Sequence, residues 1–398
     1  MGVLARVWAG VDAGKEHHHV VVVDGGGRVV WSRKVANGEA ALGGMLAEVA
    51  GLAGSVRWGI DLRDGGAALL LALLAASGAE IVYVPGRVVN RMADAYSGEG
   101  KTDAKDARII ADQARMRADL APLVPGDELI IELRMLTARR ADLATDKTRA
   151  INRLRAVMTE ICPALERALD FTRTGPLLLV SGYQAPEAIT AAGQDELAGW
   201  LRGRGARNAA VLAATAVTAA QSQTVRLPGQ DIAAQLAAGL AREVMALGER
   251  ISEIDRLIGE RFRRHHAASL IISLPGIGVL LGAEFLVATG GDLRAFASAD
   301  HLAGYAGLAP APRDSGKITG SLHRPRRYNR TLNRVFYTSA LISVHCSPDS
   351  RAFYDRKRAE GKKHTQAVLA LARRRVNVLW ALLRDQRPYT SQLPAKAA

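Results

Sequence analysis

Cysteine is scarce in this chain. Cys162 and Cys346 are the only two in 398 residues, which excludes a disulfide framework and a cysteine-ligated zinc cluster. Long apolar runs are missing as well. The longest, Ala67–Ala76, has ten residues, about half a membrane span. The N-terminal stretch reaches Asp12 too early for the apolar core of a secretory signal. The expectation is a cytoplasmic protein without a membrane segment. What is present, 48% hydrophobic and 23% charged residues, is ordinary for a folded chain and excludes disorder and collagen-like structure. At roughly 150 residues per domain the length fits two or three domains.

Acidic residues are in deficit. Lys and Arg number 53 against 39 Asp and Glu, a formal charge of +14. The excess is concentrated: Arg324–Arg375 holds fourteen basic and three acidic residues, +11 in 52 positions. A basic surface this dense points to a polyanion, most often nucleic acid. The bland alternative is a solvated basic face.

The first third alternates strand and helix patterns. Val7–Asp12, His17–Asp24 and Arg28–Val35 read as strands, separated by turns at Gly14 and Gly25–Gly27. Turns that short predict an antiparallel meander. Helical spacing follows over Asn37–Val49, then a strand Val56–Asp61, a helix Ala67–Ser77 and a strand Glu80–Val84. A loop containing Pro85, Gly98 and Gly100 leads to a helix from about Thr102 to Met116. The order βββαβαβα is that of a ribonuclease-H-like mixed sheet with helices on both faces.

Two long helices with heptad spacing come next. Leu129, Leu133, Leu136, Arg140, Leu143, Lys147, Ala150, Leu154, Val157 and Ile161 alternate steps of four and three, as do Leu236, Leu240, Val244, Leu247, Ile251, Ile254 and Ile258. They predict an antiparallel coiled-coil arm, with the Ala- and Gly-rich stretch Thr174–Pro228 as a helical insertion at its tip. Arg140 and Lys147 interrupt a pure zipper. The expected division is 1–120 for the α/β domain, 121–263 for the arm, 264–390 for an all-α helical domain and 391–398 for a disordered tail that begins after Pro388.

Four carboxylates sit at telling places. Asp12 closes the first strand and Asp61 the fourth; Asp103 and Asp106 share a face of the helix after Thr102. In a ribonuclease-H-like sheet the first and fourth strand ends are neighbours, and the last helix packs across them. Four carboxylates gathered there repel one another unless a cation neutralises them. Mg²⁺ prefers oxygen ligands, and two such ions suit in-line phosphoryl transfer. Singly, each Asp also reads as a turn, cap or first-turn residue. Asp64 and Glu99 are nearby competitors.

Two blocks of sequence carry a family resemblance. Gly10-Val11-Asp12-Ala13-Gly14-Lys15 together with Gly98-Glu99-Gly100-Lys101-Thr102-Asp103-Ala104-Lys105-Asp106-Ala107 resembles the RuvC-like domain of DEDD-type insertion-sequence transposases, the IS110 family related to the Piv DNA invertase. Leu274–Gly278, Ala306-Gly307-Leu308-Ala309-Pro310 and Asp314-Ser315-Gly316-Lys317 look like that family's second, helical transposase domain. The resemblance covers about 7–120 and 264–345. It implies a mobile-element recombinase that holds Mg²⁺, two ions per site, on Asp12, Asp61, Asp103 and Asp106 and attacks DNA with Ser315. It further implies double-stranded donor and target DNA, a structured bridge RNA as guide, and a homo-oligomer in which one subunit's RuvC-like domain meets another's serine.

There are two departures from the pattern. The second acidic residue is commonly Glu; here the string is Asp61-Leu62-Arg63-Asp64-Gly65-Gly66, one methylene shorter at Asp61, with Asp64 as the alternative. The serine motif is commonly Ser-Ser-Gly-Gly-Lys, which leaves Thr319 and Ser321 as alternatives to Ser315.

A serine nucleophile conserves bond energy in a phosphoserine ester, so strands are exchanged without a nucleotide cofactor. Arg313, Lys317, Arg324, Arg326 and Arg327 are near in sequence and suited to holding the phosphate. The Pro-Gly-x-Gly turn at Gly276 and Gly278 reads either as a backbone cradle for a nucleic-acid phosphate or as a tight turn between helices. Arg373-Arg374-Arg375 reads as a phosphate-tracking helix face or a solvated one. His17, His18 and His19 alternate across a strand and cannot all face one metal. The competing functions are a hydrolytic junction-resolvase-like nuclease and a non-catalytic nucleic-acid-binding protein.

Overall fold

The structure is a computed structural model. It describes residues 4–62, 65–96, 102–120, 122–123, 127–312, 320, 322–323 and 325–391. The chain divides into two compact units, Met1–Gly126 and Asp127–Ala398.

In the first unit β1 (Val7–Ala13), β2 (His17–Val23) and β3 (Val29–Ala36) form the expected meander. After α1 (Glu39–Ala50), β4 (Val56–Ile60) joins β1 in parallel. After α2 (Ala68–Ala76), β5 (Glu80–Tyr83) adds in parallel to β4. The sheet order is β3-β2-β1-β4-β5, so β1 and β4, distant in sequence, lie side by side at its centre. Alternation sorts the side chains. Val7, Ala9 and Val11 pack with Leu42, Met45, Leu70 and Leu74 of α1 and α2. The other face of the sheet is covered by a later helix.

The stretch after Pro85, expected as a loop, contains a further short helix, α3 (Gly86–Met92). Pro85 sets its entry, and Val89 with Met92, one turn apart, joins the cluster around Ile109 and Leu120. Then α4 (Asp103–Met116) crosses the sheet, its N-terminus capped by Thr102, whose Oγ1 accepts from the Lys105 N–H at 3.2 Å. Its approach requires glycine. A Cβ on Gly10 of β1 would lie 2.8 Å from Ala111 Cα and closer still to the Ala107 carbonyl oxygen and Ala111 amide nitrogen. The backbones of strand and helix therefore touch, with only Ala107 and Ala111 between.

The second unit begins with α5 (Glu128–Ile161), passes through α6 (Pro163–Ala168), α7 (Thr174–Gly182), α8 (Pro186–Arg202) and α9 (Ala209–Gln221), and returns along α10 (Gln230–Arg263). Glu132 pairs with Arg261 at 2.8 Å and Arg140 with Asp255 at 2.5 Å, so α5 and α10 run antiparallel. Arg140, the polar break in the seam, finds its partner there. The seam itself differs from the heptad reading in two places. Leu236 is exposed, and Ala237 and Ala241 are buried in its stead; Met158, not Val157, is fully buried. The shift on α10 goes with the insertion, whose helix α7 packs on α10 and recruits a different face of the arm.

The chain ends in α11 (Ala268–Ser273), α12 (Val279–Thr289), α13 (Ala299–Tyr305), a two-residue pair β6 (Ala311–Pro312) and β7 (Leu322–His323), then α14 (Arg330–Cys346), α15 (Pro348–Ala359) and α16 (His364–Asp385). One core joins them to the base of the arm through Ile130, Leu133, Ile258 and Phe262. The tail is ordered for longer than expected. Tyr389 donates to Asp349 through its hydroxyl at 2.6 Å and to Ser273 Oγ through its amide at 2.9 Å; residues 392–398 lie outside the described residues. Among the described residues no helix is long and apolar enough to cross a membrane.

Candidate active site

The site is built at the C-terminal edge of the two central strands. Val11 of β1 is level with Ile60 of β4, so the next residues, Asp12 within β1 and Asp61 just past β4, come side by side at the same height. Asp61 is fastened to that edge: its Oδ1 accepts from the Ala13 N–H at 3.2 Å. The direction of α4 brings in the other pair. Arg57, near the start of β4, donates to the carbonyl oxygens of Ala114 and Arg117 at the end of α4, at 3.0 and 3.3 Å. The helix therefore runs against the strands, and its first turn, with Asp103 and Asp106, reaches the edge that carries Asp12 and Asp61.

The electrostatics report the same gathering. Burial pushes the Asp61 carboxyl above its ordinary pKa; hydrogen bonds from the Ala13 and Asp61 backbone oppose this, and the negative charge of Asp106 adds to it. Asp103 acts on His19, whose imidazole pKa is lowered chiefly by burial, with Asp103 opposing. His19 stands directly opposite Asp12 in the β1–β2 pairing, and its Nε2 lies 3.1 Å from Ser32 Oγ. The charge of Asp106 is thus felt at Asp61, and that of Asp103 at His19, the residue paired with Asp12.

The donor set is rich in carboxylate oxygen, which suits a hard divalent cation. Among the described residues no three His, Cys, Asp or Glu side chains are grouped so that they could hold a metal ion between them. Mg²⁺ needs fewer protein ligands than that, because it keeps several waters and is commonly held by one or two carboxylates together with substrate phosphate. Partial burial of Asp61 beside Asp106 is the feature a cation would relieve.

Two loops that carry these acids are tied together by a residue the sequence did not single out. Asn37 Nδ2 donates to the Lys15 carbonyl, just past Asp12, at 3.1 Å and to the Gly66 carbonyl, past Asp61, at 3.0 Å. Gly66 is pressed onto the first loop, since a Cβ there would lie 2.7 Å from the Gly14 carbonyl oxygen. His19 was legible in principle: it alternates with buried His18 and faces the same side of the sheet as Asp12. Asn37 offered no local signal.

The remaining candidates are dispersed or outside the described residues. Ser315, Lys317, Arg313, Thr319, Ser321 and Arg324 lie outside them, in or just after the stretch bracketed by β6 and β7; Asp64 and Glu99 lie outside them too. Arg326 and Arg327 are exposed beyond β7. Gly276 has φ +83°, and a Cβ there would lie 3.0 Å from the Ser343 amide, so it is required by the packing of its turn on α14. Gly278 is exposed at the start of α12, with open space where a Cβ would be. The arginine triplet is not one face. Arg375 is buried and bonds Ser339 Oγ, Arg373 pairs with Asp300, and Arg374 lies over the Phe353 ring at 5.4 Å. One hundred degrees per residue along a helix sends three consecutive side chains three ways.

Comparison with known proteins agrees with this fold. A family model for transposases of the IS110 DEDD type matches residues 9–163, and one described as the transposase IS116/IS110/IS902 family matches residues 268–355. The chain is similar to the insertion element IS900 42 kDa protein of Mycobacterium paratuberculosis, 57% identical over 98% of this chain and 99% of that protein. It is 52% identical to the IS116 44.8 kDa protein of Streptomyces clavuligerus, over 98% of this chain and 97% of the relative. A pilin gene-inverting protein of Moraxella bovis is 32% identical over 32% of this chain and 40% of its own length.

Proposed function

The chain belongs to the IS116/IS110/IS902 family of insertion-sequence transposases, and from that premise we propose that it recombines DNA through a serine nucleophile assisted by a metal-dependent carboxylate site. The observation that supports this reading is that Asp61, the residue after β4, comes level with Asp12 of β1 and is destabilised as an anion by burial and by the charge of Asp106.

In this reading Asp12, Asp61, Asp103 and Asp106 hold Mg²⁺, two ions per site. When bound, the metal supplies Lewis-acid polarisation of the scissile phosphate and charge neutralisation as the displacement proceeds. The residues of the chain do the rest. Ser315 Oγ forms a bond to phosphorus while the bond from phosphorus to a deoxyribose oxygen breaks; the serine proton is lost and a proton returns to the leaving oxygen. The phosphoserine ester keeps the energy of the broken bond, so reversal on a second strand rejoins DNA without a nucleotide cofactor. Lys317, Arg324, Arg326 and Arg327 orient the phosphate, and the backbone at Gly276 and Gly278 contacts the nucleic acid.

Donor and target are double-stranded DNA, a structured RNA guides the choice of site, and the serine is presented by another subunit of a homo-oligomer in the cytoplasm. The domains divide this work as 1–120 for metal, 121–263 for assembly and 264–390 for the nucleophile. The family resemblance and the density of positive charge between Arg324 and Arg375 support these parts.

The test is to trap the intermediate. Protein, Mg²⁺, donor DNA and the element's non-coding RNA are incubated and denatured, and the adduct is mapped by mass spectrometry. DNA joined to Ser315, absent in Ser315→Ala, is the expected result. Cutting that persists in Ser315→Ala without any adduct would make the protein a hydrolytic nuclease. Nucleic-acid binding with no strand cutting, unchanged by Asp103→Asn and Asp106→Asn, would leave only a binding protein.

A further inference from the structure

The C-terminal helices enclose an open pocket of about 740 Å³ between α15, α16 and the turn after α11. Arg375, which is only 3% exposed, lines it. Its bonds go to neutral groups: Nε and Nη2 donate to Ser339 Oγ at 2.9 and 2.7 Å, and Nη2 also donates to the Pro275 carbonyl. Burial lowers its pKa to about 10, and the groups that oppose this are Cys346 and Tyr389, not a carboxylate. A buried cation served only by neutral dipoles keeps much of its desolvation cost, and an anion brought from outside would offset it.

The rim of the pocket has the same sign. Arg356 and Arg374 are exposed and lie over the ring of Phe353 from 5.1 and 5.4 Å. The stacking fixes two guanidinium groups beside the opening with their N–H edges left for a ligand. The one acid in the lining, Asp349, is engaged by the hydroxyls of Tyr389 at 2.6 Å and Ser391 at 2.7 Å. Arginine forks recognise phosphate oxygens in pairs.

We propose that this pocket binds a backbone phosphate of the nucleic acid, gripped by Arg356 and Arg374 at the rim and facing the buried Arg375. The proposal rests on the reading of the chain as a nucleic-acid enzyme, and it locates a contact that fixes position without reading sequence. DNA and RNA present the same phosphodiester, so the test treats them separately.

Full-length protein is titrated by fluorescence anisotropy into a labelled DNA duplex and, separately, a labelled RNA hairpin over a range of salt. In Arg356→Ala/Arg374→Ala, Kd is expected to rise about ten-fold for at least one probe, with the slope of log Kd against log salt falling by about one to two. The probe affected identifies the strand. Arg242→Ala/Arg250→Ala, which removes two exposed charges from α10, is expected to leave both titrations near wild type. Both changes are at exposed positions, and unchanged thermal melts verify folding. Equal effects from the two double variants, or none from the first, overturn the pocket while leaving the enzyme reading intact. Wild-type protein that binds neither probe overturns both.

Discussion

Replacing Gly10 by alanine is the sharpest perturbation of the first unit, because a single methyl group is placed between two backbones. The new Cβ would lie 2.8 Å from Ala111 Cα, where carbon atoms ordinarily rest at about 3.5–4.0 Å. Helix α4 must therefore retreat by roughly 1 Å. It cannot do so freely: Ile109, Ile110 and Ala114 on the same helix are fully buried against the sheet. Overpacking usually costs about 1–3 kcal/mol, and here the obstacle is main chain, so about 3 kcal/mol or more is expected. For a unit of this size that lowers the melting temperature by roughly 10 °C. The retreat also carries Asp103 and Asp106 away from Asp12 and Asp61, and a misplacement of about 1 Å is expected to reduce strand cutting about 100-fold. Differential scanning calorimetry and a gel-based cutting assay read the two effects. Gly43→Ala is the control, since Gly43 lies exposed within α1 with open space around it; it should stabilise by about 0.5–1 kcal/mol. A Gly10→Ala protein that melts and cuts like wild type would refute the argument.

Three further outcomes are expected. Asn37→Ala removes the two bonds that join the loops after Asp12 and Asp61; a loss of about 1–2 kcal/mol in urea unfolding is expected, together with a drop in kcat greater than any change in DNA affinity. His265 is buried beside His266, and its folded pKa lies below the ordinary 6.5, so the unfolded chain binds the proton first as pH falls. Stability of the second unit is therefore complete above about pH 6.5 and declines below it, by at most about 1.4 kcal/mol per pH unit from this group, and His265→Leu should flatten that acid limb in denaturant titrations. In the arm, a double-mutant cycle on Arg140 and Asp255, both partly exposed, should give a coupling of about 0.2–1 kcal/mol; zero coupling would mean that the pair does not fix the register.

The parts of the fold that were legible in sequence were those with a strong local period. Strands β1 to β3, with glycine turns between alternating valines, left little freedom, and the order of later elements fixed a mixed sheet. That order also puts Asp12 beside Asp61, because β1 and β4 are neighbours in such a sheet. What escaped was set by distant packing. Ala237 replaces Leu236 in the arm because the insertion leans on α10. Helix α3 has only seven residues, so its periodicity covers barely two turns and the surrounding glycines dominate it. In the site, alternation along β2 shows that the three histidines cannot share one face, but it does not say that His19 is the one paired with Asp12, which depends on the β1–β2 register. Arg375 was grouped with Arg373 and Arg374 as one basic run, yet the helix turns it into the core, where Ser339 and the Pro275 carbonyl receive it.

In the proposed reading Asp12 of β1, Asp61 just after β4, and Asp103 and Asp106 of α4 together hold the divalent ions. Fe²⁺ loaded in place of Mg²⁺, with ascorbate and peroxide, breaks the polypeptide next to the bound metal. Breaks clustered near residues 12, 61 and 103–106, suppressed by excess Mg²⁺ and lost in Asp61→Asn/Asp106→Asn, are the expected result. Breaks confined to one of these three stretches, or scattered through the chain and indifferent to the substitutions, would contradict it.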